Sequence, residues 1–244
     1  MMPRAAHAAI ATACLLAGAS PATSTAAPPV VAAVEARPIA KPPIVWKPIP
    51  FGTKRQDETA AYSKRHYGTR TSTLANPHVI IEHYTDGTSF SSAWNTFAAN
   101  SKHLGEFPGT CAHFIIDRDG TIYQLVHLDL RCRHAIGMNH TAIGIEHVGT
   151  SDKMVLGDRR QMQASTRLTL WLMQRYGINI GNVIGHAETL QSPYHHELYP
   201  SWRCMTHADF PHWAMHDYRT RVRALATKRE IPVGAPPVWV DNGC

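Results

Sequence analysis

Two histidines stand where short apolar runs end: His83 follows "VIIE" (79–82) and His186 follows "VIG" (183–185). Strand ends hold side chains on rigid backbone at an open edge, which is where ligands gather in α/β proteins. Two imidazoles so placed can hold a zinc ion, and a catalytic zinc takes three protein ligands and keeps a fourth position for water. Downstream of His186 the residues able to complete such a set are Glu188, His195, His196, Cys204, His207 and Asp209, and spacing alone selects none of them. The chain has 16 histidines, so a hydrogen-bonded core or loop role is the ordinary alternative for each. Glu146 offers a second chemistry, as a carboxylate inside the otherwise apolar "AIGIEHV" (142–148). Burying a carboxylate costs free energy unless it is paired or used, and one beside an activated water can carry a proton to and from a reaction. A salt-bridged acid at a sheet edge is the structural alternative.

Strands and helices must position these groups. "HVIIEHY" (78–84), "AHFIID" (112–117), "TIYQLV" (121–126) and "AIGIEHV" are of strand length and rich in β-branched residues. "DRDG" between the second and third predicts a tight hairpin turn. From Thr88 onward Phe90, Ala93, Trp94, Phe97 and Ala98 share one helical face, with Thr88 or Ser89 as cap. A longer helix is expected from about Asp158 to Tyr176, turning Ala164, Leu168, Trp171 and Leu172 inward and stopping at Gly177. "VIGH" reads as a last central strand and His212 to Lys228 as a closing helix. This alternation predicts an α/β fold, a central mixed β-sheet covered by helices.

Bulk properties narrow the setting. Hydrophobic residues at 44% and charged residues at 17% describe an ordinary globular chain, and the net charge of +6 favours anionic partners. The basic residues are scattered without a run of five or an aromatic-interleaved stripe, which argues against nucleic acid. Residues 1–27 have the build of a secretory signal peptide: Arg4, an apolar stretch from Ala8 to Ala19, and small residues before a cleavage point after Ala26 or Ala27. No segment approaches the length of a membrane span. The expected destination is therefore export, to the periplasm or beyond. Residues 28–50 carry seven prolines and read as an extended arm or linker, pinned at its end by Trp46 and Ile49. A catalytic domain from 51 to 230 and a tail from 231 to 244 follow. Beyond residue 27 remain Cys111, Cys132, Cys204 and Cys244, an even number that in an oxidising compartment suggests disulfides with three possible pairings.

"EHYT" (82–85), "AHFIIDRDGTIYQLV" (112–126), "HAIGMNHTAIGIEHVG" (134–149) and "GHAE" (185–188) resemble, in order and spacing, the zinc-dependent N-acetylmuramoyl-L-alanine amidases. That family includes the AmpD-type enzymes, the phage amidases called lysozymes and the peptidoglycan recognition proteins, and the likeness spans roughly residues 60–225. The resemblance implies zinc on His83 and His186. It places the third ligand at the end of a K-x-D or K-x-C motif, matched here by Asp209 in "THADFP" (206–211). His207 then stands where the family often has a lysine that polarises the scissile carbonyl. Cys204 is the runner-up for third ligand, although export favours a disulfide for it, for example with Cys244. Ala112 occupies the position of the phage enzymes' catalytic tyrosine, and with Glu146 present the pattern resembles the AmpD-type arrangement, in which the glutamate does the acid/base work. His134 and Asn139 resemble groove residues that contact the glycopeptide, with turn stabilisation as their alternative role.

The implied activity is an exported zinc amidase cutting between N-acetylmuramic acid and L-alanine of the peptidoglycan stem peptide. Its rivals are a non-catalytic peptidoglycan-binding protein on the same fold and a structural zinc protein built on the histidine-rich 186–216 region. The last would need a closed set of four ligands.

Overall fold

The computed structural model describes Met1 and residues 38–244, so the signal peptide expected at 1–27 and the first part of the arm lie outside the described residues. Six strands form one sheet in the order β1-β4-β3-β5-β2-β6: β1 Val45–Trp46, β2 Val79–Tyr84, β3 Phe114–Ile116, β4 Ile122–Gln124, β5 Ala142–His147 and β6 Val183–Gly185. β3, β5, β2 and β6 run parallel, and β4 is antiparallel to β3. The β3–β4 hairpin is closed over the expected turn, where Gly120 takes a φ of 89° that strains any residue with a side chain.

Alternation along the strands serves two cores. Ile80, Phe114, Ile143, Ile145 and Val183 face α4 (Arg159–Tyr176) and α5 (His212–Thr227). On the opposite face Ile81, Ala142 and Ile184 pack with Ala135 and Met138, while Ile115, Leu125 and Val148 meet Ala93 and Phe97 of α2 (Phe90–Ala98). Both helices predicted before the last strand start where their caps stand. The Ser89 side chain accepts from Ser92 N, the Asp158 carboxylate accepts from the amides of Arg160 and Gln161, and Gly177 closes α4 in the left-handed conformation. Of the residues expected inward on α4, Leu168 and Leu172 are buried, and Ala164 and Trp171 pack half-buried against the same core.

Two helices carry no legible apolar stripe. α1 (Thr53–Tyr67) buries Arg55, Thr59, Tyr62, Ser63, His66 and Tyr67. Arg55 anchors it by donating to the carbonyls of Phe97, Gly109 and Thr110. α3 (Asp152–Gly157) is a short turn capped by Ser151. Parts of the arm and the tail pair with the domain expected at 51–230. The arm contributes β1, an edge strand parallel to β4; Ile49 is buried, and Trp46 lies half-exposed against His127. The tail joins the domain through Ile180 N to Val233 O (2.7 Å), Gly181 N to Ala235 O (3.0 Å) and Val240 N to Gln191 O (3.0 Å). Disulfides pair Cys111 with Cys132 and Cys204 with Cys244. Residues 38–244 thus fall in one compact unit.

Candidate metal centre and cleft

β5, β2 and β6 are adjacent and parallel, so their C-terminal ends open on one edge. Glu146 sits directly across from His83 in the β2–β5 register, and His186 follows the last residue of β6. The period of two turns Glu82 and His147 toward the helical layer and leaves His83 and Glu146 on the open face. The Nδ1 atoms of His83 and His186 lie 3.0 Å apart. One oxygen of Asp209 is 3.3 Å from His83 Nδ1 and the other 3.3 Å from His186 Nδ1.

Asp209 reaches this point through a contact that only a glycine allows. A Cβ at Gly185 would collide with the carbonyl oxygen of Phe210. Its absence lets the 209–210 backbone lie on β6, where Asp209 O accepts from Ala187 N at 2.9 Å. Phe210 takes a φ of 52°. Its amide donates to Asp152 at 2.7 Å, and its ring is buried beside His147 and Tyr218.

The electrostatics suit a cation. Burial, then the neighbouring His186, pushes the His83 imidazole down to about 4, so its ring is neutral and keeps a lone pair. Burial would raise Asp209, but hydrogen bonds from His186 and His83 outweigh it and hold the carboxyl well below the usual range. Glu146 is pushed up to about 8 by burial and by the charge of Asp209. Its Oε2 is buried without a hydrogen-bond partner. Two imidazole nitrogens and a carboxylate with ligand atoms within 4.8 Å of one another are the only such group among the described residues. Zinc accepts this nitrogen, nitrogen and oxygen donor set, so the residues fit the metal the sequence suggested. A cleft of about 650 Å³ opens over them, lined also by His134, Glu146, His207, Phe97 and Ile136.

The other candidates are engaged elsewhere. Glu188 is buried in a two-pronged pair with Arg219 (2.8 and 3.0 Å) and accepts from Gly185 N, which braces the turn carrying His186. His195 packs against Gly137, and the amide of His196 donates to Gly137 O; neither lines the cleft. Cys204 is bonded to Cys244 and has no thiolate to offer. His207 is exposed at the cleft and stacks on His186, with ring centroids 4.8 Å apart. Asn139, expected in the groove, lies buried behind it: its Oδ1 accepts from the amides of His134 and Ala135, and its Nδ2 donates to Tyr67. Asn139 thus bonds across the 134–139 turn. Sequence reasoning missed His147, whose Nδ1 lies 2.7 Å from the carbonyl of His83 and whose Nε2 is 2.8 Å from Ser165. The signal was its place directly after Glu146, on the opposite face of the strand.

The model of the N-acetylmuramoyl-L-alanine amidase family matches residues 73–198. The chain belongs to that family. The matched stretch contains His83, His134, Glu146 and His186 but ends before His207 and Asp209, so the third donor of this amidase rests on the geometry above. Among solved structures the amidase is similar to the endolysin LysCS of Clostridium intestinale (25% identity, 60% of this chain and 82% of that one, TM-score 0.43). It is also similar to AmiD of E. coli in complex with anhydro-N-acetylmuramic acid-L-Ala-D-gamma-Glu-L-Lys (24%, 48% and 51%, TM-score 0.39). A third is the Staphylococcus aureus hydrolase AmiA in complex with its ligand (15%, 80% and 90%, TM-score 0.48). No curated protein matches the sequence. No helix among the described residues is long and apolar enough to cross a membrane.

Proposed function

We propose that this amidase is exported and zinc-dependent, and hydrolyses the amide between the lactoyl group of N-acetylmuramic acid and L-alanine of the peptidoglycan stem peptide. The observation that carries the reading is the convergence of His83, His186 and Asp209 at the strand end where Glu146 presents an unpartnered oxygen. His83, His186 and Asp209 would hold the metal. Bound there, zinc lowers the pKa of a coordinated water and polarises a carbonyl. Glu146 has a pKa raised to about 8, so both of its protonation states are within reach near neutral pH, and it can take a proton and return one to the leaving amine of L-alanine. His207 faces the same cleft, where partial desolvation and then His186 lower its pKa; its ring N–H donates to the substrate carbonyl, where a lysine would place a permanent charge. The two disulfides and the leader-like residues 1–27 support export to the periplasm or the medium.

Digestion of purified murein by the zinc-loaded chain, followed by mass spectrometry, tests the reaction. New L-alanine amino termini and glycans with intact lactoyl groups are expected. Termini at another bond, or full activity in a chelated, metal-free sample, overturn the reading.

A further inference from the structure

The face of the sheet away from the cleft carries charge that the protein leaves unanswered. The cleft is lined by Ala93 and Phe97 of α2, whereas α4 and α5 cover the opposite face. α4 has Arg159, Arg160, Arg167 and Arg175 and no acidic residue in its 18 positions. Arg219 and Arg221 of α5 find carboxylates in Glu188 and Asp217. Lys41, Arg167, Arg175 and Arg229 have no ion pair and no side-chain hydrogen bond among the described residues. Lys41 and Arg175 instead converge on one indole, each with its charged end 5.6 Å from the centroid of Trp171. Such contacts hold the cations in place and cancel none of their charge.

These cations border a cavity. Lys41, Arg167 and Arg229, all exposed, line a pocket of about 250 Å³ together with Ile39, Leu170 and Leu225, which are buried or half-buried. The arm forms one wall, fastened to α4 where the Ile39 amide donates to Gln174 at 2.6 Å. A ligand that suits this lining is anionic at one end and apolar immediately beyond it. A soluble polyanion would meet the charges and leave the apolar lining wet. An anionic phospholipid satisfies both, because binding at a membrane surface draws on charge attraction and on buried apolar area together. We propose that this face docks the protein on a membrane containing anionic phospholipid, with a headgroup phosphate among Lys41, Arg167 and Arg229, and so turns the cleft away from the bilayer. The docking is independent of the metal and of the amide chemistry.

Co-sedimentation of the full chain with vesicles tests it. Binding should be stronger to phosphatidylcholine mixed with phosphatidylglycerol than to phosphatidylcholine alone; equal binding to both overturns the proposal. Arg167→Gln combined with Arg229→Gln should weaken binding to the mixed vesicles roughly 25-fold, about 5-fold for each charge. Lys54→Gln combined with Lys64→Gln removes the same net charge from α1 and should bind nearly as the wild type does. All four positions are exposed, and every variant keeps residues 1–37, so any contribution of the leader is common to them. An equal loss in both pairs would reduce the effect to net charge and overturn the site. Displacement from the vesicles by inorganic phosphate or soluble polyglutamate at matched charge would assign the face to a soluble anion and overturn the lipid.

Discussion

Glu146 has one oxygen with no partner and a raised pKa, and the role proposed for it is to move a proton. Glu146→Gln keeps the shape and removes that proton: turnover on murein should fall by about 100-fold or more, the usual scale for general acid/base groups. Zinc content, read by atomic emission, should not change. A near-normal rate would place the base elsewhere. Asp209 and Cys204 make the complementary pair. With Asp209 in contact with both imidazoles and Cys204 tied to Cys244, Asp209→Ala should lose metal and activity together, whereas Cys204→Ser should keep its zinc. The reverse outcome would mean that the third ligand is wrongly assigned.

At the scale of elements, the site depends on how closely the 209–210 segment lies on the end of β6. Gly185→Ala sets a methyl against the Phe210 carbonyl, and since the obstacle is backbone, the segment has to move. Overpacking of this kind costs about 1 to 3 kcal/mol. The sharper expectation concerns zinc: displacement of Asp209 should weaken binding far more than a stability loss of that size explains, measured by dye competition beside thermal unfolding. A variant that binds zinc normally would show that the segment adapts. Register matters equally, because a one-residue slip of β5 against β2 would turn Glu146 away from the cleft and His147 into it.

Across the whole molecule, the tail and the buried histidines set the response to redox and acid. The Cys204–Cys244 bridge closes a loop with a sequence separation of 40, and its removal should lower stability by about 2 to 4 kcal/mol. For a domain of this size that is a fall in Tm of roughly 5 to 15 °C, measurable by calorimetry of Cys244→Ser. Acid works through burial. His83, His113, His140 and His147 are pushed down to about 4 by desolvation, and His134 is pushed well below the ordinary imidazole range by the same cause. Between pH 6.5 and 4 the unfolded chain binds protons on these rings that the native chain refuses, so stability falls as the pH drops through that window. Glu82 and Glu146, raised to about 8 by burial, act oppositely, because the native state holds their protons, but two carboxyls are outnumbered by five imidazoles. The Tm of the metal-free chain should therefore decline between pH 6.5 and 4.5. His113→Gln, which removes a buried ring bonded to Leu130 O and Gly144 N, should lower the Tm at neutral pH and make the decline shallower. A Tm that rises on acidification would contradict this balance.

What the sequence determined by itself is what local chemistry encodes. The apolar runs marked β2, β5 and β6, the side-chain oxygens of Ser89 and Asp158 marked helix starts, and histidines at strand ends pointed to metal. α1 stayed hidden because its buried face is polar, satisfied by Arg55 reaching carbonyls more than forty residues away, and no periodicity announces such a bond. The arm's edge strand and the tail's attachment were likewise invisible, since both depend on where distant backbone happens to lie. Among six candidates for the third ligand, spacing chose none and family likeness favoured Asp209. Tertiary structure supports the proposed choice by engaging Glu188 with Arg219 and Cys204 with Cys244, and by bringing Asp209 within reach across a missing Cβ. The physical reason is that ligand identity requires donor atoms to converge to within a few ångströms, and that convergence is set by side-chain packing between segments far apart in the chain.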